Sequence, residues 1–366
     1  MLLYKGSRDQ ILEPLQAVCG IVEKRNTLPI LSNVLLEKQA DRLTLLATDI
    51  DIQIKTELST ESSDSTTLTV AARKMQDILR SLPEGEVSLT LDEKRLQIKS
   101  GRSRFNLQTL SAEEFPRMLL SDSNVTRLKL SQKQFKNLLI QAQYAMAFQD
   151  VRYYLNGLLL VVKNNEVVVV ATDGHRLAYA RESLAEELPN IEVILPRKTV
   201  LELSRQLAEV DDPLEIMLTP NQARFNFGNI ELISKLIDGK FPDYERVIPK
   251  NHNKVIKIQR SSLAQSLLRV RILTNEKIPG VNLIFSENSL SIHGKNIERE
   301  EAQEEIEISY PHDSIDIGFN VNYLLDFLNN VDNDEIECHL LDASSSALFQ
   351  LPDNADFKYV VMPMRT

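Results

Sequence analysis

The 366-residue chain lacks the motifs of several common enzyme classes. It has no P-loop, no Gly-x-Gly-x-x-Gly and no Gly-x-Ser-x-Gly motif, and its five histidines are scattered without zinc-type spacing. Asp173 and His175 can be combined with a serine into a triad on paper, but nothing indicates an activated nucleophile. The sequence therefore predicts a protein that is not an enzyme and needs no metal or other cofactor.

Cysteine and long apolar runs are also scarce. Cys19 and Cys338 lie far apart in apolar surroundings, so we expect two buried thiols and no disulfide. No apolar run reaches the roughly 20 residues that span a bilayer, and there is no N-terminal signal pattern. We therefore expect a cytoplasmic protein. At 43% hydrophobic and 26% charged residues, the chain can fill several ordinary cores and is not disordered.

A β-hairpin pattern occurs three times along the chain. Its central copy, within Asp150–Arg181, has two apolar runs separated by the polar turn Lys163-Asn164-Asn165. Similar patterns cover residues 31–49 and 280–296. The spacing between copies is about 124 positions, close to one third of the 366 residues. Three copies of one unit therefore fill the chain.

Each copy also contains two helical patterns. An amphipathic segment precedes each hairpin, and an apolar lead with a short helix follows it. The preceding segments are Arg8–Val22, Ser131–Met146 and Arg260–Leu273, and the following ones are Val70–Leu82, Leu195–Leu207 and Phe319–Val331. Without a βαβ rhythm, the sheets should be mostly antiparallel with helices on one face. The sequence predicts an α+β fold of three repeated domains, at residues 1–121, 125–245 and 246–366.

The formal net charge is −10, but the positive charges are unevenly distributed along the chain. A net negative chain argues against nucleic-acid binding, but the second helices of the first two copies concentrate cations. Their Arg-Lys pairs, Arg73-Lys74 and Arg197-Lys198, occupy the same repeat position. One interpretation is a set of ordinary solvated helix faces. The repetition favours the other, a basic helical surface on an acidic protein.

Several long motifs resemble one bacterial family. They are Leu28–Asn33, Ser100–Phe105, Arg152–Gly157, Ala171–Leu177, Lys235–Tyr244, Leu273–Lys277 and Tyr359–Arg365. These stretches are similar to the β subunit of DNA polymerase III, the bacterial sliding clamp. The resemblance runs from one end of the chain to the other.

The resemblance implies a head-to-tail homodimeric ring, with helices lining the hole and antiparallel sheets outside. Such a processivity factor encircles duplex DNA independently of sequence and slides on it. It tethers the polymerase III catalytic subunit, the clamp loader, other polymerases and repair proteins through short peptides. Since a ring holds DNA by topology, a net negative charge is tolerable where only the inner helices face phosphates. The alternative is a non-enzymatic peptide-binding scaffold that does not encircle DNA, followed by an unrelated hydrolase.

The predicted DNA-facing residues come from two sources. The resemblance indicates Arg25, Arg73, Gln149, Tyr153 and Tyr154, with Lys24 beside Arg25 as an alternative contact. The charge pattern adds Arg80, Arg197, Lys198 and Arg205. Strand alternation predicts that the two tyrosines point to opposite sides and differ in role. Core or interface packing is the other interpretation for them.

The resemblance also implies a docking pocket for partner peptides. Its predicted residues are Arg152, Tyr154, Leu155, Thr172, Gly174, His175, Arg176, Leu177, Pro242, Arg246, Val247, Asn320, Tyr323, Ser346, Val360, Met362, Pro363, Met364 and Arg365. Met362 and Met364 give an adaptable apolar surface, and Pro363 prevents the tail from pairing fully as a strand. Without the family, this tail would be interpreted as core filling.

The third implied site closes the ring between the first domain of one copy and the third domain of the other. Its predicted apolar centre is Phe105 and Leu107 against Ile272 and Leu273. At the rim, Lys74 and Arg102 are expected to pair with acidic residues among Glu300, Glu301 and Glu304. Because exposed ion pairs contribute little, the apolar residues should dominate the stability of the contact.

Overall fold

The computed structural model describes residues 1–23, 28–61, 64–119 and 125–365. These residues form 24 strands and six helices, and one order of elements occurs three times: strand, helix, four strands, helix, three strands. The strand ladders are antiparallel, as in the hairpins β2–β3, β10–β11 and β18–β19 defined below. The predicted α+β class, with a threefold repeat and antiparallel sheets, is confirmed.

The elements of the three copies are as follows. The first copy contains β1 (Leu2–Ser7), α1 (Arg8–Cys19), β2 (Asn33–Gln39), β3 (Arg42–Thr48), β4 (Ile52–Ser59), β5 (Thr66–Ala71), α2 (Ala72–Ser81), β6 (Glu86–Asp92), β7 (Arg95–Ser100) and β8 (Ser103–Leu110). The second contains β9 (Thr126–Ser131), α3 (Gln132–Gln143), β10 (Gly157–Lys163), β11 (Glu166–Thr172), β12 (Arg176–Ser183), β13 (Ile191–Pro196), α4 (Arg197–Gln206), β14 (Pro213–Leu218), β15 (Gln222–Phe227) and β16 (Ile230–Lys235). The third contains β17 (Lys254–Gln259), α5 (Arg260–Val270), β18 (Gly280–Ser286), β19 (Ser289–Lys295), β20 (Glu301–Glu307), β21 (Ile315–Asn320), α6 (Val321–Asn329), β22 (Glu335–Leu340), β23 (Ala347–Leu351) and β24 (Asn354–Val361). Short 3₁₀ helices cover Pro29–Ser32, Tyr153–Leu155, Tyr244–Arg246 and Arg271–Leu273.

The central hairpin shows how the sequence specifies these elements. Valines and leucines fill β10 and β11, and Lys163 pairs with Glu166 across a two-residue turn. Asn164 and Asn165 both have positive φ, of 50° and 60°. Asparagine tolerates this left-handed conformation better than most residues, and the turn type matches the twist of the strands.

The described residues divide into two compact units. Unit 1 comprises Met1–Phe135 and Leu201–Leu236. Its strands form one twelve-stranded sheet in the order β1-β6-β7-β8-β5-β2-β3-β4-β16-β15-β14-β9. The pairing of β4 with β16 joins strands of the first and second copies. Helix α1 packs against α2, β3 and β4, so its buried leucine and isoleucine side chains enter the core of this unit.

Unit 2 comprises Lys136–Val200 and Ile237–Thr366. It holds an eight-stranded sheet, β13-β10-β11-β12-β24-β23-β22-β17, and a four-stranded sheet, β20-β19-β18-β21. Aromatic residues pack between α6 and the larger sheet, where the rings of Phe327 and Tyr359 stack at 5.3 Å. The predicted domain boundaries stay a prediction, since both units contain strands from two copies.

The other face of the eight-stranded sheet carries a second core. Leu159, Val170, Leu177 and Val360 pack there with Phe241 of the following segment. We call residues 237–252 the linker segment, and its Ile237, Tyr244 and Ile248 pack against the same core. The linker segment therefore covers part of this face of the sheet.

Candidate nucleic-acid and peptide-binding sites

Three of the predicted DNA-facing arginines line one pocket of unit 1. Arg73 and Arg80 of α2 and Arg205 of α4 surround a cavity of about 310 Å³ beside the end of α1. A Cβ at Gly20 would overlap the guanidinium of Arg205, so a larger residue there would make that side chain move. Three guanidinium groups around one small cavity favour an anionic ligand such as a phosphate.

The electrostatics of this arginine pocket can be followed at Cys19, which lines it. Burial raises the pKa of the Cys19 thiol to about 12, while Arg73, Arg80 and Arg205 act in the opposite direction. Arg205 also bonds to Glu202 at 2.5 Å, so part of its charge is compensated within α4. The thiol is therefore protonated at neutral pH and inert, as predicted for both cysteines, which are free and buried.

The other predicted DNA-facing residues lie in unit 2, except for two. Lys24 and Arg25 lie outside the described residues. Arg197 donates to the carbonyl oxygen of Met146 at 3.2 Å, and its guanidinium lies 5.8 Å from the ring centre of the exposed Phe148. Lys198 follows it at the start of α4 and is half-buried. Gln149 is exposed with a φ of 55°.

The conformation predicted for Tyr153 and Tyr154 is wrong. They lie in a 3₁₀ helix, and the strand begins only at Gly157, so strand alternation does not apply to them. In the 3₁₀ turn the two rings nevertheless have different surroundings. Tyr153 is 58% exposed, whereas Tyr154 packs against the core under the linker segment.

Part of the predicted docking pocket forms one apolar cluster. Leu155, Leu177 and Val360 are buried together on the face of the eight-stranded sheet that the linker segment covers. Val247 of the linker segment and Met362 of the tail are exposed apolar side chains. Residues far apart in sequence are thereby combined in unit 2.

Polar residues fix the turn between β11 and β12. The Thr172 hydroxyl donates to the carbonyl oxygen of Arg176 at 2.6 Å and accepts from the Gly174 amide at 3.0 Å. The Asp173 carboxylate accepts from the amides of His175 and Arg176. Gly174 has a φ of 92°, which only glycine adopts easily. The turn therefore leaves His175 exposed beside the tail.

Arg176 connects this turn to α6. Its guanidinium bonds to Asp173 at 3.1 Å and to Asp326 at 2.6 Å, and it donates to the carbonyl oxygen of Tyr144 at 2.6 Å. It also lies 4.4 Å from the ring centre of Tyr323. Arg176 therefore positions one wall of the predicted docking pocket, and most of its hydrogen-bonding capacity is used inside the protein.

Arg152 has a comparable local role. Its guanidinium bonds to both carboxylate oxygens of Asp150, and these bonds lower the pKa of Asp150 to about 2. It also donates to the carbonyl oxygen of Asp173 at 3.2 Å and lies against Gly174. Arg152 thus joins the 3₁₀ segment to the β11–β12 turn.

The remaining docking residues lie around α6, the linker segment and the tail. Asn320 caps α6 by accepting from the Asn322 amide at 2.9 Å. Pro242 and Arg246 are exposed, and Arg246 pairs with Asp243. The carbonyl oxygen of Ser346 is bonded to His252 at 2.7 Å.

The tail stops pairing as a strand at Val361, as expected from the proline at position 363. The Met362 amide donates to the His175 carbonyl oxygen and the Met364 amide to that of Gly318, both at 2.9 Å. Pro363 and Met364 are half-buried, and Arg365 is exposed. Two single hydrogen bonds therefore hold the tail across the predicted docking pocket.

Sequence reasoning missed several residues around the docking pocket. Tyr179, Tyr244, Ile248 and Leu348 complete the apolar cluster that contains Leu177 and Val360. The alternation of Leu177 and Tyr179 along β12 was the available signal, since both must lie on one face of the sheet.

The predicted contact residues between copies lie on two strand edges. Phe105 and Leu107 belong to β8, which pairs with β5 only at Thr109 and Leu110 and so leaves one edge of residues 103–108 open within the described chain. β20 is the outer strand of the four-stranded sheet. Ile272 is 77% exposed, and Leu273 is half-buried.

The three glutamates predicted at the rim already have partners within the chain. The predicted rim cations, Lys74 and Arg102, are exposed. Glu304 accepts from Arg269 at 2.6 and 2.7 Å, Glu301 pairs with Lys295 at 2.8 Å, and Glu300 accepts from Asn296. Rim pairs between copies would have to compete with these bonds.

The described residues contain neither a metal-binding cluster nor a membrane-spanning helix. Among the described residues, no group of three or more histidine, cysteine, aspartate or glutamate side chains is arranged to hold a metal ion. No helix within residues 1–23, 28–61, 64–119 and 125–365 has the length and apolarity needed to cross a membrane.

The chain is similar to known proteins over its whole length. Family models match residues 4–119, 129–243 and 245–365 as the N-terminal, central and C-terminal domains of the DNA polymerase III beta subunit. The beta sliding clamp of Pseudomonas putida is 44% identical over 361 residues, with 98% of each chain covered. That of Escherichia coli K12 is 42% identical over 364 residues, covering 99% of each.

Solved structures agree with this. The Pseudomonas aeruginosa DNA polymerase III subunit beta superposes with a TM-score of 0.95 at 41% identity, covering 100% of both chains. A sliding clamp of the same species bound to griselimycin gives the same values. Caulobacter crescentus pol III beta gives a TM-score of 0.92 at 36% identity, again over 100% of both chains. The chain therefore belongs to the DNA polymerase III beta subunit family, the beta sliding clamps.

Proposed function

We propose that this chain is the sliding clamp of a bacterial DNA polymerase III. Two copies close head to tail around duplex DNA, slide on it and tether the polymerase, without catalysing a reaction themselves. The observation that carries the proposal is the match of three consecutive clamp domains over nearly the whole chain. The domains are placed at residues 1–121, 125–245 and 246–366, and the ring acts in the cytoplasm.

The DNA contacts are non-specific contacts to phosphates. Arg73, Arg80 and Arg205 converge on one cavity, which supports a phosphate-binding role for this group. A second group consists of Gln149, Tyr153, Tyr154, Arg197 and Lys198, around the exposed turn that follows α3. The exposed ring of Tyr153 can donate its hydroxyl to a phosphate or stack on an unpaired base. Because cations of this kind read no base edges, the ring is free to slide.

Partner proteins bind by short peptides in the docking pocket. The apolar cluster of Leu155, Leu177 and Val360 supports this role, and Val247 of the linker segment and Met362 of the tail add exposed apolar side chains. The polymerase III catalytic subunit, the clamp loader, other polymerases and repair proteins are the proposed partners. Griselimycin, which a relative of this chain binds, is a suitable ligand with which to test the pocket.

The two copies join through the open edges of β8 and β20. A long unpaired edge invites pairing with another strand, so an uncovered one in a soluble protein suggests an interface. The two edges have complementary charge, because Arg102 and Arg104 lie at the start of β8, whereas β20 carries four glutamates. Ile272 and Leu273 supply apolar area against Phe105 and Leu107.

The test is retention on DNA after loading by a cognate clamp loader with ATP. We expect the protein to stay on nicked circular plasmid at high salt and to leave when the plasmid is linearised. Equal retention on both forms, lost only as salt rises, would show electrostatic binding and contradict the ring. Failure on both forms, with a loader of demonstrated activity on a known clamp, would favour a peptide-binding scaffold that does not encircle DNA.

A further inference from the structure

A second cavity lies on the same sheet face as the docking pocket. It measures about 420 Å³ and is lined by β12, the C-terminal strands and the linker segment, including Tyr179, Tyr244, Leu348 and Lys358. None of the residues predicted for the docking pocket lines it. Its volume falls within the range of small-ligand sites.

The cavity continues the docking pocket along the strands. Leu177 pairs with Val360, and Tyr179 pairs with Lys358, so each cavity residue lies two positions beyond a docking residue. Two residues of a strand span roughly 6.6 Å. Consider an extended peptide that runs parallel to these strands with one side chain on Leu177 and Val360. The side chain two positions away then lies at the cavity.

The lining of the cavity combines aromatic rings with a cation. The rings of Tyr179 and Tyr244 lie 6.1 Å apart, and burial raises the pKa of Tyr244 to about 12. The ammonium group of Lys358 lies 5.3 Å from the ring centre of Tyr179. Glu245 and Lys250 also line the cavity, but no carboxylate of the described chain is within ion-pair distance of Lys358, so the charge of Lys358 is available to a ligand.

His252 also lines the cavity. Its Nε2 lies 2.7 Å from the Ser346 carbonyl oxygen, which can only accept, so Nε2 carries the hydrogen. Its Nδ1 is buried, has no partner among the described residues and is not open to a ligand in the cavity. The histidine ring therefore contributes a fixed wall to the cavity.

We propose that this cavity is a further subsite for docked peptides and that it takes a carboxylate-bearing side chain. The carboxylate pairs with Lys358, whose ammonium group lies over the ring of Tyr179. The acidic residue lies two positions from the residue seated on Leu177 and Val360. This inference rests on the proposed docking function.

The test uses pairs of fluorescein-labelled synthetic heptapeptides that share one apolar residue, a central phenylalanine meant to occupy the site on Leu177 and Val360. Within each pair, the residue two positions before or two positions after the phenylalanine is either aspartate or asparagine, because an extended peptide can run in either direction. Affinities for the full-length dimer are measured by fluorescence polarisation, with griselimycin as the competitor that reports the docking pocket. Thermal unfolding checks the fold of each variant.

In one direction, the aspartate peptide should bind about fivefold more tightly than its asparagine partner, as for a partly exposed ion pair. Lys358→Met should remove this preference. Lys257→Met should retain it, because Lys257 is an exposed cation that pairs with Glu335, and neither residue lines the cavity. The two variants test whether the cation at position 358 is responsible for the preference for aspartate over asparagine.

Equal affinities for aspartate and asparagine peptides in both directions would overturn the subsite. So would a failure of every peptide to compete while griselimycin binds, and the docking pocket would then stand. If griselimycin does not bind either, the proposed docking function fails and the subsite fails with it.

Discussion

At the scale of single residues, Arg176 joins parts of the chain that are distant in sequence. Its partners come from the β11–β12 turn, from the end of α3 and from α6. Its side chain is only 10% exposed, although the carboxylate of Asp326 is 43% exposed. Removing Arg176 would leave the Asp173 carboxylate bonded to backbone amides and would take a donor from Asp326 and from the Tyr144 carbonyl oxygen.

We expect Arg176→Met to lower the free energy of unfolding of unit 2 by about 3 kcal/mol, since unpaired buried groups are costly. Arg181→Met is the matched control, because Arg181 lies on the same strand and also pairs with two carboxylates but is more exposed. It should cost less than about 1 kcal/mol. Tyrosine fluorescence during denaturant unfolding reports unit 2, which contains every tyrosine except Tyr4. Equal losses in both variants would contradict a special role for Arg176.

The sequence suggested candidate residues for the docking pocket but not what each one contacts. The motif around Asp173 and His175 was visible, whereas the bonds of Arg176 to Asp326 and Tyr144 depend on the packing of distant elements. The strand predicted through Tyr153 and Tyr154 was wrong because the apolar run beginning at Leu155 has no period that separates a 3₁₀ turn from a strand. The local pattern therefore gave candidate residues, and only the tertiary structure gave their contacts.

At the scale of elements, the open edge of β8 is the clearest feature. The Thr109 amide donates to the Lys94 carbonyl oxygen, toward β7. Since amide direction alternates along a strand, the amide of Asn106 points the opposite way, to the open edge. A proline at position 106 would remove this outward donor without breaking a backbone bond within the sheet, and it would cost only the exposed side-chain bond from Gln97 at 3.3 Å.

We expect Asn106→Pro to weaken the dimer while leaving the fold intact, because proline is tolerated at strand edges. Leu107→Pro is the contrasting variant, since its amide points toward β7 and its loss should lower thermal stability. Analytical ultracentrifugation gives the mass, and differential scanning calorimetry gives the stability. A fully dimeric Asn106→Pro protein at sub-micromolar concentration would argue against pairing through this edge.

The elements themselves were predictable because each hairpin combines apolar strands with a polar turn and because the pattern is repeated. What could not be predicted is the pairing between copies, β4 with β16 and β12 with β24. Edge strands of similar composition can pair with several partners, and the choice is made by the packing of whole sheets.

At the scale of the whole molecule, the proposed docking pocket and the proposed ring need different numbers of chains. Every described residue of the docking pocket belongs to unit 2 of one chain. The ring requires a second copy. Breaking the dimer should therefore separate the two functions.

We expect Ile272→Ala combined with Leu273→Ala to give a monomer that still binds griselimycin with unchanged affinity. The same protein should not be retained on circular DNA. Ile278→Ala is the control, because it removes a neighbouring exposed isoleucine outside the 3₁₀ helix and should remain dimeric. An intact dimer in the double variant by sedimentation at sub-micromolar concentration would contradict the proposed contact, and weaker griselimycin binding by the monomer would contradict the independence of the pocket.

The open edges of β8 and β20 have one more consequence. They are different surfaces, so a contact between them is heterologous, and such contacts produce open filaments unless the rotation between subunits closes. Nothing in the strand pairing itself limits the assembly to two copies. Substitutions that alter the angle at this contact without weakening it should therefore produce polymers, visible by electron microscopy, instead of monomers.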